Sequence, residues 1–160
     1  METFAIARVQ LSFASIAATP TGPERFASAF YTTLWSESTG IRELFPAGME
    51  SMRHRFTTAI GWVVNRLTDF GAVEAFLGQL ARDHRKYGVK PEHFRSAGYA
   101  LLFAIRECTP IILWTATLER TWAEVIGRLV ETMAVAAATD DLPAVWGATV
   151  VGHERVLPDV

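Results

Sequence analysis

One histidine, His84, ends an apolar stripe near the middle of the chain. The stripe runs through Val73, Phe76, Leu77 and Leu80, at the three- and four-residue spacing of one helix face. Neutral imidazole is a strong axial ligand for haem iron, and a position on the stripe would aim the ring into a buried pocket. A lone histidine on an apolar face is more often a hydrogen-bonded core residue. From this feature alone, both interpretations stay open.

The stripe that ends at His84 is one of several helical patterns. Apolar residues recur at helical spacing through nearly the whole sequence, and no alternating strand pattern precedes the C-terminal segment 144–160. Apolar faces are predicted within residues 6–16, 26–34, 52–67, 73–84, 94–105 and 118–137. Proline and glycine separate several of them, and Asp69 to Gly71 is expected to end the third long helix. The sequence therefore predicts an all-α protein.

Composition limits the class of function. With 160 residues, 50% of them hydrophobic, the chain fits one domain with a sizeable core. A net charge of -2 does not indicate the clustered basic surface that binds nucleic acid. No apolar run has the length of a membrane span. The single Cys108 cannot form an internal disulfide, and no secretory signal opens the sequence. We therefore expect a cytoplasmic protein that binds neither nucleic acid nor membrane.

The residues around His84 carry a family resemblance. Residues 80–94, LARDHRKYGVKPEHF, resemble the proximal-histidine region of bacterial globins. Residues 30–34 (FYTTL), 41–46 (IRELFP) and 121–125 (TWAEV) resemble parts of the haemoglobin-like domain of flavohaemoglobins, in the same order. The resemblance spans roughly residues 23–138. It implies a globin fold, a three-over-three helical sandwich, and a haem b whose iron is held by His84.

The same resemblance suggests the other residues of a haem pocket. Tyr31 matches the ligand-stabilising tyrosine, whose hydroxyl would donate a hydrogen bond toward dioxygen, although it could also be a core tyrosine. Phe45 matches the aromatic residue that packs on the haem plane, but taken alone it is a core phenylalanine. Met52 and Phe56 match a distal residue and its apolar partner. Because they are four residues apart, they share a helix face.

Several positions depart from the flavohaemoglobin pattern. Where that family usually has a distal glutamine, Met52 has no hydrogen-bond donor. Where it has a tyrosine and a glutamate near the proximal histidine, this chain has Phe94 and Ala137. His84 would then be left with a backbone carbonyl or solvent as its partner, and would donate electrons with ordinary strength. We therefore expect no efficient nitric oxide dioxygenase.

Further interpretations of Met52 and of the charged or polar residues near these positions rest on weaker signals. Met52 could itself ligate the iron when no gas is bound, although the bulky Phe56 competes for that space. His54 lies two residues from both, so we expect it to point to solvent. The cations flanking His84 could meet haem propionates, but a charged run beside a buried stripe is usually a solvated face; they are Arg82, Arg85 and Lys86.

The domain limits follow from where the helical pattern ends. We predict a globin domain over residues 1–142 and a C-terminal extension over residues 143–160. Residues 143–156, PAVWGATVVGHERV, are similar to the segment where actinobacterial flavohaemoglobins pass into their flavin-binding barrel. Residues 148–151, ATVV, are β-prone but have no sheet of their own, so we expect this segment to be disordered, to pair with another chain or to pack as irregular coil.

The expected function is binding of a diatomic gas, namely dioxygen, nitric oxide or carbon monoxide. Electrons would come from a flavin reductase in cis or in trans, and a homodimer is an open option. The alternative is a gas-sensing or interaction globin without turnover, in which gas binding shifts a contact with a partner. A haem-free globin-like domain is a third interpretation.

Overall fold

The computed structural model describes residues 3–139, which are helical and contain no β-strand. The helices are α1 (Thr3–Ala17), α2 (Gly22–Glu37), α3 (Glu50–Asn65), α4 (Phe70–Arg85), α5 (Pro91–Cys108) and α6 (Ala116–Thr139). A 3-10 turn, Ile41–Leu44, joins α2 to α3. The predicted all-α class is confirmed. The predicted boundary at residue 142 and the extension 143–160 lie outside the described residues.

The predicted apolar faces coincide with these helices, but one boundary was misplaced. The sequence places the end of the third long helix at Asp69 to Gly71, whereas α3 ends at Asn65. The Asp69 side chain instead accepts a hydrogen bond from the Ala72 N–H at 3.3 Å and caps the N-terminus of α4. Aspartate is a preferred N-cap because its carboxylate satisfies an N–H that has no partner within the helix. The stop signal is therefore the start of the helix that carries His84.

The helices pack around two central members, α2 and α6. α2 crosses α5 and α3, while α6 receives α4, α5 and α1. At the crossing of α5 and α6, a Cβ added to Gly98 would lie 2.6 Å from Val130 Cγ2, so only glycine permits this approach. Two turns earlier in α6, the buried Trp122 Nε1 donates to Ser12 Oγ of α1 at 3.0 Å. α4, which carries His84, packs on α6, and α3, which carries Met52 and Phe56, packs on α2.

The helices have the lengths and sequences of a globular core. No helix within residues 3–139 combines the length and hydropathy needed to cross a membrane.

Candidate functional site

His84 lies in the last turn of α4 with its ring half-buried. Its Nδ1 atom is 2.7 Å from the carbonyl oxygen of Leu80, one turn earlier in the same helix. Because a carbonyl oxygen only accepts, Nδ1 must carry the proton, and a neutral ring then presents the lone pair of Nε2. No residue within 3–139 hydrogen-bonds that Nε2 atom. A histidine that donates through one ring nitrogen and leaves the other free is arranged as metal-ligating histidines are.

The surroundings of His84 are apolar. The ring of Phe94, at the start of α5, lies edge-on to the imidazole with a centroid distance of 6.1 Å. Phe94 packs with Ala81 of α4 and Ala137 of α6 in a small buried cluster, which we call the proximal cluster. Both positions where flavohaemoglobins have a polar partner are therefore apolar here: Phe94 lies beside His84, and Ala137 packs in the same buried cluster as Phe94. Of the two partners expected for His84, a backbone carbonyl or solvent, the structure shows the carbonyl of Leu80.

Tyr31 of α2 is the centre of a second cluster. Its side chain is buried, and its ring contacts those of Phe30, Trp35, Phe45 and Phe56 at centroid distances of 5.0, 5.8, 5.5 and 5.5 Å. We call this group the distal cluster. It joins α2, the residue after the 3-10 turn and the middle of α3. Three of the predicted pocket residues, from separate elements, are thus in contact.

The hydroxyl of Tyr31 is a hydrogen-bond donor whose pKa is raised. It makes no hydrogen bond to any residue within 3–139. Burial raises the pKa of this phenol to about 12, because desolvation disfavours the phenolate, and the positive charge of Arg53 opposes this only in part. The hydroxyl therefore remains a protonated donor at neutral pH, free to bond a ligand.

Phe56 and Met52 lie on the same face of α3. The ring of Phe56 is stacked on that of Phe30 at a centroid distance of 4.1 Å, which anchors α3 on α2. Met52, one turn earlier, is half-buried and packs against the core. His54 is exposed, so its predicted orientation away from this face is confirmed.

The proximal and distal clusters are linked through the corner after α4. A Cβ added to Gly88 would lie 3.5 Å from a methyl of Leu44, the residue that precedes Phe45. Gly88 has a φ of 80°, in the left-handed region that favours glycine. The turn that follows His84 therefore packs on the 3-10 turn that leads into the distal cluster.

Two of the cations beside His84 have partners along their own helix. Lys86 Nζ lies 2.5 Å from Asp83 Oδ1, and Arg82 donates to Gln79 Oε1 at 3.0 Å. These contacts are at the surface, as expected for a solvated helix face.

A family model described as Globin matches residues 28–133. The chain belongs to the globin family. Globins bind haem and, at its iron, diatomic gases, so this is the class of function that membership gives the chain. The matched segment contains every residue of the proximal cluster except Ala137, and the whole distal cluster.

Individual relatives agree with this assignment. The globin is 34% identical over 70 residues to a neuroglobin of Tetraodon nigroviridis, covering 44% of this chain and 43% of that protein. It is 40% identical over 57 residues to an anaerobic nitrite reductase of Gossypium hirsutum, covering 36% and 34% of the two chains. The chain thus spans less than half the length of these curated relatives. They support the family as a whole and do not single out the flavohaemoglobins.

A solved structure confirms the fold. It is a Pseudomonas aeruginosa protein described as structurally highly homologous to a human hemoglobin, and it matches this globin with a TM-score of 0.68. The match covers 83% of this chain and 98% of the other, at 24% identity. At that identity it shows the globin fold alone.

Three residues of the candidate site were not predicted as site residues from the sequence. Leu80 contributes its backbone carbonyl, which has no residue-specific signal beyond its place four residues before His84. Phe30 and Trp35 belong to the distal cluster, and the available signal was their helical spacing around Tyr31.

Proposed function

We propose that this globin holds haem b through Nε2 of His84 and binds a diatomic gas, reversibly and without strong activation. The hydrogen bond from His84 Nδ1 to the Leu80 carbonyl carries the proposal, because it fixes the tautomer that a ligand to iron requires. Haem supplies the iron at which the gas binds. The donor set fits the group, since neutral imidazole is the usual proximal ligand of globins.

The proximal cluster sets how strongly His84 donates electrons. A carboxylate or a phenol at Nδ1 would give the imidazole more anionic character, whereas a carbonyl gives little. Phe94 and Ala137 have neither group. His84 is therefore suited to holding haem while a gas binds and leaves, and not to promoting cleavage of an oxygen–oxygen bond.

The distal cluster supplies the contact with the gas. Its rings surround Tyr31 and leave the hydroxyl as a donor with no partner within residues 3–139. Met52 adds a thioether, which cannot donate. A polar ligand such as dioxygen would accept one hydrogen bond, from Tyr31, and carbon monoxide would gain less from it.

Optical spectra of the ferric, ferrous and carbonyl forms test haem content and ligation together. We expect a Soret band in the wild type and in His54→Ala, which removes an exposed histidine of α3. His84→Ala should lose the band or weaken it, and added imidazole should restore it. A wild-type protein without a Soret band, or an unchanged His84→Ala spectrum, would contradict the proposal.

Ligation by Met52 in the absence of gas is tested by the same spectra. Met52 packs against the core and lies one turn from the stacked ring of Phe56, which holds that face of α3 on α2. We propose that the unligated ferrous form is five-coordinate. A six-coordinate low-spin spectrum that becomes high-spin in Met52→Leu would show the opposite.

The remaining parts of the proposal concern the setting of the protein. A flavin reductase, in cis or in trans, would return the haem to the ferrous state, and the setting would be cytoplasmic. A homodimer is a further option. The comparisons do not favour a sensor globin over gas binding itself. Rapid turnover of the oxygenated protein with nitric oxide under reductase supply would contradict the absence of efficient dioxygenase activity.

A further inference from the structure

A surface groove of about 590 Å³ lies between α2, the 3-10 turn and the start of α3. Such a volume accommodates a small organic molecule. It includes neither His84 nor Tyr31, but it shares Trp35 with the distal cluster. The lining residues that matter here are Glu24, Trp35, Arg42, Met49, Glu50 and Arg53.

Two N–H groups of this lining are buried without an acceptor. They are the indole Nε1 of Trp35 and the Nε of Arg53, and neither has a hydrogen-bond partner within residues 3–139. Buried donors are almost always paired in native proteins, and exceptions mark strain, function or a bound group. Two such donors therefore lie on residues beside one groove, and the residues within 3–139 supply neither of them with an acceptor.

A cation is fixed beside one of these donors. The guanidinium of Arg42 lies 4.5 Å from the centroid of the Trp35 ring. Its Nη1 donates to the carbonyl oxygens of Phe45 and Pro46, at 3.1 and 3.3 Å. These bonds hold the side chain in place without neutralising it, and no carboxylate within residues 3–139 pairs with it.

The carboxylates that line the groove limit the charge of an anion that could bind there. Glu24 pairs with Arg53, at 2.5 Å between Oε1 and Nη1, and Glu50 adds a second negative charge to the lining. A multiply charged phosphate would be repelled by these carboxylates, whereas a singly charged group would be attracted by Arg42 with less opposition. Met49 offers an apolar surface beside the polar groups.

We propose that this groove binds a small organic carboxylate with an apolar body. Its oxygens would accept from the Trp35 indole and from the guanidinium groups of Arg42 and Arg53, since arginine and planar carboxylates match in geometry. Its apolar part would pack on Met49. The site uses neither His84 nor the Tyr31 hydroxyl, so loss of benzoate binding and loss of the Soret band are distinguishable outcomes.

Benzoate is a suitable probe, with benzamide as its uncharged isostere. We expect benzoate to shift the Trp35 indole N–H resonance of ¹⁵N-labelled protein saturably, whereas benzamide at the same concentration leaves it in place. Trp35→Phe identifies the resonance by removing it. Arg42→Gln should weaken benzoate binding about tenfold or more, the usual scale for a charge-assisted hydrogen bond.

Arg66→Gln is the matched control. Arg66 also lies over an indole, that of Trp62, at 4.3 Å from the ring centroid, but it is not in this groove. The control should bind benzoate as the wild type does. Equal shifts with benzamide, an unmoved Trp35 resonance, tighter binding of inorganic phosphate, or equal losses in Arg42→Gln and Arg66→Gln would each overturn the proposal.

Discussion

The Nδ1 atom of His84 lies 2.7 Å from the carbonyl oxygen of Leu80, and the ring of Phe94 stands edge-on to the same imidazole. The first contact orients the ring, and the second places an apolar side chain beside it. The Leu80 carbonyl therefore fixes the orientation of the imidazole, whereas Phe94 offers no hydrogen bond that would increase electron donation from His84 to iron.

The proximal side can be made more electron-donating by substitution. In the double variant Phe94→Tyr with Ala137→Glu, a phenol and a carboxylate would be placed near His84, because both native residues pack in the proximal cluster. We expect the iron–histidine stretching frequency of the ferrous protein to rise in resonance Raman spectra. Ala138→Glu, at the exposed neighbour on α6, should leave it unchanged. An unchanged frequency in the double variant would show that Ala137 is too far from the ring.

Removal of the Tyr31 hydroxyl should speed dioxygen release. Tyr31→Phe retains the ring contacts of the distal cluster but removes its free donor, and one hydrogen bond lost from a bound gas corresponds to about a tenfold change in rate. Laser photolysis and stopped-flow measurements give this rate, with the exposed Tyr87→Phe as control. Carbon monoxide release should change less. Equal changes in the release rates of both gases would contradict this prediction and show that the substitution acts through packing.

The raised pKa of Tyr31 predicts a loss of stability at high pH. The phenol ionises near 10 when exposed and near 12 when buried, so between these values the unfolded chain loses a proton that the folded chain retains. Stability is therefore intact below pH 10 and falls as the pH approaches 12, by up to about 2–3 kcal/mol from this group. Urea unfolding across this range should show a smaller fall in Tyr31→Phe than in Tyr99→Phe, whose ring is exposed.

The crossing of α5 and α6 depends on glycine. In Gly98→Ala the new methyl would lie 2.6 Å from Val130 Cγ2 and 3.3 Å from Ile126 Cγ2, so the free energy of unfolding should fall by about 1–3 kcal/mol. Gly127→Ala, also in α6 but with nothing near its added Cβ, should instead be neutral or stabilising by about 0.5–1 kcal/mol. Thermal denaturation of the two variants measures the difference. Equal changes in the free energy of unfolding would contradict this prediction and show that helix propensity alone determines both values.

The sequence predicted the helices well because their apolar stripes are long and regular. The stripe that ends at His84 lies on α4, and of the two predicted partners of His84, a backbone carbonyl or solvent, the structure shows the carbonyl. The boundary near Asp69 was wrong because an aspartate before a glycine fits both a helix end and a helix start, and only the Ala72 N–H decides.

The groove at Trp35 could not be predicted in this way. An indole or a guanidinium is unsatisfied only in relation to what packs around it, and the neighbours of Trp35 come from three separate elements. No spacing in the chain identifies such a donor. The aromatic contacts of Tyr31 could be predicted in part. The sequence shows that aromatic residues are present, but it does not show which of their rings touch.

The hydrogen bond between Trp122 and Ser12 joins residues 110 positions apart and connects the first helix to the last. During synthesis, α1 leaves the ribosome well before the helix it must pack against exists. At about 5–20 residues per second, that delay is roughly 5–20 s, during which the apolar face of α1 has no final partner. We expect the nascent globin to depend on a chaperone, or on transient contacts with α2, until α6 emerges.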